Sequence, residues 1–310
     1  MNCIIKKYFA LLIFALVVAG FKVKAQPYEV LVVTGQNNHH WPTSSKIIKT
    51  IFDNSELFNA TMVVTPPKGE DMSVFRPEFE KYDLVCLDYN GDPWSETTKE
   101  SFVDFVKKGG GLVLFHASDN AFPEWEEYNR MIGLGGWGGR TEKDGPYVYW
   151  KDGKFVKDKS PGRGGSHGKQ DEFVVISRKP GHPIMRGLPK EWKHTKDELY
   201  NRLRGPAKRM EILATAAQDT ARGGTGRQEP VLFTIKYGKG RVFHSVMGHV
   251  GKNQSNTIKC AGFITTLLRG AEWVVTGEVT QEISSDFPSA SKISIRENLK
   301  MQAADAKNSP

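Results

Sequence analysis

Residues 109–120 read GGGLVLFHASDN, and this stretch indicates the fold class of the chain. Its glycines follow a segment with helical spacing of apolar residues, and the apolar run 112–115 comes directly after them. A short apolar run that is bounded by turn residues and follows a helix is typical of a buried parallel strand. Ligands of open α/β sheets bind beyond the carboxyl ends of the strands. Because His116 stands where this run ends, we expect a site there.

The segments that precede this stretch show the same alternation. Residues 29–34, 61–64 and 82–87 have the apolar composition of strands, whereas residues 43–52 and 95–106 carry apolar side chains at helical spacing. Strands that alternate with helices of this length form βαβ units with right-handed connections. We therefore predict an α/β fold with a doubly wound, mostly parallel sheet and helices on both of its faces.

Two glycine-rich segments interrupt the second half of the chain, at residues 133–140 and 161–168. They carry arginine, tryptophan and histidine, which favours binding loops, and flexible spacers are the alternative. Beyond them, residues 230–237 and 241–246 predict a hairpin that ends near His249.

Residues 1–25 have the pattern of a secretory signal peptide, with a Lys6-Lys7 pair, an apolar run and a small-x-small motif before Gln26. We expect cleavage near Gln26 and a periplasmic or secreted protein, and an uncleaved anchor helix is the alternative. Residues 26–280 are then one α/β domain. Residues 281–310 are polar and without periodicity, which predicts a disordered C-terminal tail.

Composition limits the classes of partner. The chain has 310 residues, with 39% hydrophobic and 25% charged residues, as in ordinary globular proteins. Its formal charge is +8, and without the four lysines of residues 1–25 it is +4. The remaining basic residues are scattered, so nucleic acid is not an expected partner. Cys86 and Cys260 lie in apolar surroundings and are expected to be buried free thiols.

Histidines follow three of the predicted strands. His39 and His40 come after the first strand, His116 after the fourth and His249 after the last. Parallel strands place these ends along one edge of the sheet, so the imidazoles should converge there. The same edge also carries four other polar residues, Asp88, Asn90, Asp119 and Asn120. A functional site is favoured over histidines that only cap strands.

A second polar cluster occupies residues 194–202. His194 and Glu198 are four positions apart, so a helix would place both side chains on one face, although such pairs are also common as surface contacts. The sequence contains no His-Glu-x-x-His, no Gly-x-Ser-x-Gly elbow and no Gly-x-Gly-x-x-Gly after the first strand. These absences argue against a zincin, an α/β-hydrolase and a dinucleotide site.

Several short motifs together carry a resemblance to a known family. They lie at residues 89–94, 109–122, 128–140, 160–168, 197–200, 238–243 and 248–249. With these motifs the chain resembles the ThuA-like (trehalose utilisation) family over about residues 28–277. The resemblance implies a flavodoxin-like fold of the class I glutamine amidotransferase type and a role in the metabolism of trehalose and its 3-keto derivatives.

The amidotransferase relatives place a nucleophilic cysteine after the strand that ends here at Phe115. This chain has His116-Ala117-Ser118 at that point and no cysteine, so glutaminase chemistry is not expected.

Our first hypothesis is an exported enzyme that acts on a disaccharide or keto-sugar. His116 and His249 would exchange protons, and Asp197 or Glu198 would orient or assist them. The residues predicted to bind substrate are Asn37, His40, Asn90, Asp119, Asn120, Trp137, His167, Tyr200 and Arg204.

Two alternatives belong to other classes. One is a non-catalytic carbohydrate-binding accessory protein with the same pocket. The other is a metal-dependent hydrolase in which His40, His116 and His249 hold a divalent metal such as zinc. The expected partner is a small carbohydrate, with no nucleic acid and no stable membrane span after signal cleavage. The sequence predicts neither the sugar nor the oligomeric state.

Overall fold

The structure is a computed structural model, and it describes residues 26–299. The strands are β1 (Tyr28–Thr34), β2 (Phe58–Val64), β3 (Leu84–Leu87), β4 (Gly111–Phe115), β5 (Tyr147–Lys151), β6 (Lys154–Asp158), β7 (Ser166–His167), β8 (Asp171–Ser177), β9 (Glu191–Asp197), β10 (Tyr200–Asn201), β11 (Met210–Ala216), β12 (Glu229–Tyr237) and β13 (Gly240–Ser245). The helices are α1 (Trp41–Asp53), α2 (Glu96–Lys108), α3 (Glu126–Ile132), α4 (Asn256–Lys259) and α5 (Ala261–Thr276).

A nine-stranded sheet forms the centre of the molecule, in the order β2-β1-β3-β4-β13-β12-β11-β8-β9. The strands from β2 to β13 are parallel, as the alternation of strands and helices predicts. The strands from β13 to β9 pair antiparallel, beginning with the hairpin of β12 and β13. The predicted α/β fold is therefore confirmed, with parallel pairing confined to one half of the sheet.

The helix α2 shows how local sequence produces the layers. Ser95 caps its first turn, with its hydroxyl accepting from the Thr98 amide, and Gly109 ends it with φ at 126°. Phe102 and Val106 lie on the buried face of the helix, at the spacing of one turn. The helices α1 and α5 contact each other, and α2 and α3 contact β13; within the described residues no extensive contact joins these two groups. Right-handed connections place these two groups on opposite faces of the sheet.

The parallel half of the sheet brings four strand ends together. The strands β1, β3, β4 and β13 are neighbours, and Ser245 at the end of β13 lies opposite Phe115 at the end of β4. The loops after these strands carry His39, Asp88, His116 and His249 respectively. All four therefore lie along one edge of the sheet, which is the edge where ligands of this architecture bind.

The glycine-rich segments form a compact insertion beside this edge. Arg204 is fully buried and donates hydrogen bonds to the carbonyls of Gly145, Ser160 and Gly162. Closely packed glycine loops expose backbone carbonyls, and a buried guanidinium satisfies several of them at once. In addition, β7 pairs with β10, which places His167 beside Tyr200. The insertion is thus held by its own hydrogen bonds and is not a flexible spacer.

The predicted disordered tail requires a correction for residues 281–299. Gln281 donates through its side-chain amide to the Leu268 carbonyl, and Phe287 packs against Trp192 with ring centroids 5.5 Å apart. Further along, Arg296 is ion-paired with Asp286 at 2.7 Å. A few apolar side chains spaced through a polar segment are enough to hold it against the core, and hydropathy alone does not reveal them.

The ends of the chain lie outside the described residues. This applies to the predicted signal segment, residues 1–25, and to the predicted tail beyond residue 299. Within residues 26–299, no helix combines the length and apolar character needed to cross a membrane.

Removal of the packed tail is expected to destabilise the protein. Deletion of residues 284–310 removes Phe287 and exposes Trp192, a loss of about 2–3 kcal/mol by burial of one large side chain. For a chain of this size we expect the melting temperature to fall by about 5–10 °C. The melting temperature is measured by circular dichroism. The point variant Phe287→Ala is expected to lower it as well. An unchanged melting temperature in both would contradict packing of this segment.

Candidate metal and ligand-binding site

Glu198 lies at the centre of a cluster of histidines. Its Oε2 atom is 3.6 Å from His39 Nε2, 3.7 Å from His116 Nε2 and 3.2 Å from His249 Nδ1. These four side chains, which we call the histidine–glutamate cluster, come from the loops after β1, β4, β9 and β13. The four facing atoms all lie within 4.8 Å of one another. The sheet edge therefore gathers three imidazoles around one carboxylate.

Hydrogen bonds outside the cluster orient two of the rings. His116 Nδ1 is 3.0 Å from the Val246 carbonyl, so it carries the proton and leaves the Nε2 lone pair facing the cluster. His39 Nδ1 is 3.3 Å from Asn37 Oδ1, with the same consequence for its Nε2. Histidines that bind metals are held in this way, by donation from the other ring nitrogen.

The inward nitrogens face one carboxylate and lack hydrogen bonds of good geometry. His116 Nε2 and His249 Nδ1 are buried, and within the described residues neither makes a regular hydrogen bond, Glu198 Oε2 being 3.7 and 3.2 Å away. A buried polar atom without a partner costs free energy, and such atoms require an explanation. Ligands that share one metal at about 2.1 Å lie no more than about 4.2 Å apart, close to the observed spacing. Three imidazoles and a carboxylate form a donor set that suits zinc and other divalent first-row metals.

The backbone of His116 supports a functional assignment. Its φ is 45°, in the left-handed region that residues other than glycine seldom adopt. Such conformations cost about 1–3 kcal/mol and cluster at functional sites. Across from it, Gly248 has φ at 124°, and a Cβ there would lie 2.9 Å from the Phe115 ring. The turn at His116 directs its imidazole into the cluster at the cost of backbone strain. The turn that precedes His249 requires a glycine at position 248.

The charges of the cluster are strongly coupled. Burial by itself would raise the pKa of Glu198, but contacts with His116, His249 and His39 outweigh it and hold that pKa well below its usual value. Burial would lower the pKa of His116, but Glu198 and Asp197 raise it overall. Burial lowers the pKa of His39, which favours the neutral imidazole that a metal needs, whereas a metal would have to displace the Nε2 proton that the raised pKa favours on His116. Glu198 is therefore an anionic centre.

Asp197 holds the backbone that carries the cluster. Its Oδ2 accepts from the Gly248 amide at 2.8 Å, and its Oδ1 accepts from the amides of Glu198 and His249 at 2.7 and 3.1 Å. The buried His194 Nε2 lies 2.9 Å from the same carboxylate. Asp197 is fully buried and has no free edge toward a ligand, so its role is to position its neighbours.

A cavity of about 370 Å³ lies against the cluster. Glu198 forms part of its wall, and the rest combines aromatic rings with side-chain amides. Tyr200 stacks on His116 with ring centroids 4.1 Å apart, and Trp137 lies 4.6 Å from Tyr200. Aromatic faces with a few directed polar groups are typical of small-ligand sites. His167 completes the wall, with its Nε2 3.9 Å from Glu198 Oε2.

Comparison with known proteins now identifies the family. The ThuA family, described as trehalose utilisation, matches residues 29–274 of this chain. The chain belongs to the ThuA family. The resemblance inferred from the sequence motifs is therefore confirmed.

Solved structures agree with this assignment. A crystal structure of a ThuA-like protein from Parabacteroides merdae ATCC 43184 is 50% identical, with a TM-score of 0.86, and the match covers 89% of this chain and 100% of that one. A ThuA-like protein from Bacteroides uniformis ATCC 8492 is 17% identical, with a TM-score of 0.53 over 82% of this chain and 94% of that one, and shows likeness of fold alone. No curated protein matches this chain.

In this ThuA-family chain, most of the predicted site residues gather at the cavity or in the cluster beside it. Glu198 lines the cavity together with the predicted residues Asn90, Asn120, Trp137, His167 and Tyr200, whereas His116 and His249 belong to the cluster without lining the cavity. The roles proposed for them remain predictions. Their common position follows from the sheet edge and from the β7–β10 pair.

Other predicted residues do not line this cavity, and the metal assignment of His40 requires correction. His40 points away from the cluster, with its Nδ1 2.8 Å from Thr43 Oγ1, and the predicted metal position is taken by its neighbour His39. Asn37 supports His39 and donates to Asp88 at 3.0 Å. Arg204 holds the glycine loops, as described above, and does not line the cavity beside the cluster.

Asp119 and the region around His194 complete the corrections. Asp119 is fully buried behind the cavity wall, 3.5 Å from His244 Nε2, and does not line the cavity. His194 and Glu198 do not share a helix face, because residues 191–197 form the strand β9. His194 is a buried residue of this strand, whereas Glu198 follows its end. The alternation of charged Glu191 and Lys193 with Trp192 and His194 was the available sequence signal for a strand.

Proposed function

We propose that this chain is a metal-dependent enzyme that acts on a sugar, either a disaccharide or a keto-sugar. The observation that carries the proposal is the convergence of three imidazoles and Glu198 on one point, with two buried nitrogens that make no regular hydrogen bond, beside the wall of the cavity. His39, His116, His249 and Glu198 would hold the metal. When bound, the metal supplies a Lewis acid that polarises a carbonyl or hydroxyl oxygen.

The surrounding residues suit a polyhydroxylated ligand. The amides of Asn90 and Asn120 offer donors and acceptors for hydroxyl groups, and Trp137 and Tyr200 provide aromatic faces for the C–H surface of a sugar ring. The description of the family as trehalose utilisation supports the same substrate class.

His167 is placed to transfer a proton. Its Nδ1 is 2.8 Å from the Gly168 carbonyl, which leaves Nε2 with its lone pair directed toward the cavity. Because the other imidazoles would be engaged by the metal, we assign proton exchange with the sugar to His167. This replaces the exchange between His116 and His249 that the sequence suggested. Export remains part of the proposal, on the signal pattern of residues 1–25.

Adjacent histidines provide the test of the metal site. His39→Ala removes a ligand and is expected to weaken metal binding by at least about a hundredfold, more than the usual cost of an outer-shell change. His40→Ala, one position along and bonded to Thr43, is the matched control and should retain the metal. Elemental analysis of purified protein and titration of Zn²⁺ and Mn²⁺ after chelation measure the effect.

We expect about one metal ion per wild-type chain and a higher melting temperature when metal is added back. The sugar-active part is measured separately, as turnover of disaccharides and keto-sugars before and after chelation. Wild-type protein that binds neither Zn²⁺ nor Mn²⁺ would contradict the proposal. Equal metal affinity of the wild type and the His39→Ala variant would also contradict it.

A further inference from the structure

A second cavity joins the one beside the cluster. Its volume is about 540 Å³, and Asn38, Asn90 and Gly91 belong to the walls of both cavities. We call the cavity beside Glu198 the inner lobe. The outer lobe is the cavity lined by Asn37, Trp41, Lys68 and Asp92 in addition to the shared residues. The two lobes form one cleft that extends along the sheet edge, away from the cluster.

The ridge between the lobes is a pair of side-chain amides. Asn90 Nδ2 donates to Asn38 Oδ1 at 2.7 Å. Within the part of the chain that the structure describes, no hydrogen bond uses the remaining groups, Asn38 Nδ2 and Asn90 Oδ1. The ridge thus presents one donor and one acceptor side by side. An ether oxygen and a neighbouring hydroxyl, as at a glycosidic linkage, match this arrangement.

Trp41 provides a platform in the outer lobe. It is half-buried at the start of α1, but among the described residues it neither packs on the hydrophobic core nor contacts another aromatic ring. A tryptophan that is not used by the core leaves apolar surface facing the cleft. Such a ring combines a large apolar face with one polar N–H group, which suits the mixed surface of a sugar.

The outer lobe favours a neutral ligand. Lys68 and Asp92 contribute one charge of each sign to its wall. The loop that carries Lys68 is fixed, because the Gly69 amide donates to Asp92 Oδ2 at 2.6 Å. Uncharged amides supply the other polar groups of the wall. A ligand with a phosphate or carboxylate would meet Asp92 as well as Lys68, so nothing in the lobe selects for a charged group.

We propose that the outer lobe is a second sugar subsite, so that the ligand is a neutral glycoside of at least two rings. The reacting ring lies in the inner lobe beside Glu198, the linkage lies over the amides of Asn38 and Asn90, and the second ring lies on Trp41. The assignment of the reacting ring rests on the proposed function. The outer subsite itself rests on the shape and chemistry of the cleft.

Calorimetric binding to metal-loaded protein tests the subsite without requiring turnover. The probes are trehalose, maltose and cellobiose as two-ring sugars and the methyl α- and β-glucosides as one-ring sugars. We expect the tightest disaccharide to bind at least about tenfold more tightly than the matching glucoside. Trp41→Ala should reduce this ratio to below about threefold, and Asn38→Ala should also reduce it. Trp150→Ala, which lies in the β5–β6 hairpin against Phe155 and lines neither lobe, is the control and should preserve the ratio.

The outcomes separate this inference from the proposed function. Equal affinity for one-ring and two-ring sugars, no binding of any disaccharide, or a ratio that survives Trp41→Ala would overturn the outer subsite. None of these results changes the metal content or the His39→Ala effect. Conversely, protein without metal affinity that still shows the ratio would overturn the proposed function and leave the subsite supported.

Discussion

His116→Asn is expected to lower turnover by about a hundredfold or more while leaving the folded protein nearly as stable as the wild type. The substitution removes the Nε2 atom that faces the cluster, so one of the four converging ligands is lost. It also removes the hydrogen bond between His116 Nδ1 and the Val246 carbonyl, which is worth about 1 kcal/mol.

The backbone at this position offsets that loss. His116 has φ at 45°, and asparagine adopts the left-handed region more readily than most residues do. We therefore expect the melting temperature of the chelated variant to lie within about 3 °C of the chelated wild type. Chelation of both proteins is needed because a bound metal would stabilise only the wild type by mass action.

Turnover on the best sugar from the disaccharide and keto-sugar panel is the measurement. His249→Asn should behave alike, because its Nδ1 atom also faces Glu198. His182→Asn is the control, since its ring packs on Trp273 of α5 at 5.0 Å and does not belong to the cluster. Normal turnover together with a lowered melting temperature would assign His116 to the scaffold.

The position of the site was accessible from the sequence, because it depends on topology. Apolar runs and helical spacing predict the parallel strands, and parallel strands end at a common edge. His116 follows such a run directly and His249 comes shortly after one. Their convergence could therefore be predicted without knowledge of side-chain packing. This holds in the structure, where Phe115 and Ser245 are register partners at the ends of β4 and β13.

The choice between neighbouring side chains was not accessible in the same way. His39 and His40 are adjacent and chemically identical, and the turn after β1 decides which ring faces the edge. Asn37 Oδ1 accepts from the His39 amide at 3.0 Å and lies 3.3 Å from its ring, which turns this imidazole toward Glu198. An Asx-type turn of this kind is a local signal, but its outcome depends on the strands beside it.

A helix across residues 194–198, which would have placed His194 and Glu198 on one face, does not form. These residues instead belong to β9 and the turn after it, and Trp192 and His194 are buried on alternate positions of that strand. Arg204 shows the complementary difficulty. From the sequence we expected Arg204 to contact a ligand. In the structure its guanidinium instead binds three backbone carbonyls of the glycine loops, which require a donor with several N–H groups.

Asp197→Asn is expected to have the largest effect on stability. The carboxylate accepts hydrogen bonds from three backbone amides and contacts the buried His194, whereas an amide presents a donor in place of one acceptor. Removing one partner of a buried charged pair costs about 3–5 kcal/mol, which corresponds to a fall of about 10 °C or more in melting temperature. Metal affinity should fall about 10–100-fold, because the Glu198 and His249 backbones lose their anchor.

Asp171→Asn is the matched control, because Asp171 lies opposite Asp197 on β8 and is paired with the exposed Arg222 at 2.8 Å. Exposed pairs contribute at most about 1 kcal/mol, so its melting temperature should change little. Equal shifts in the two variants would contradict the positioning role.

The pH dependence of stability provides a second test of the role of Asp197. Burial would lower the pKa of His194, but the Cys260 sulfur, whose own pKa is lowered beside this ring, and Asp197 raise it from 6.5 to about 10. A group with a raised folded-state pKa contributes stability that is complete below pH 6.5 and is lost as the pH rises toward about 10. Wild-type unfolding free energy, measured by urea titration, should therefore fall across this interval. The Asp197→Asn variant lacks the carboxylate that stabilises the proton on His194, so its unfolding free energy should fall less over this pH interval. An equal fall in the variant would mean that other titrating groups cause the pH dependence.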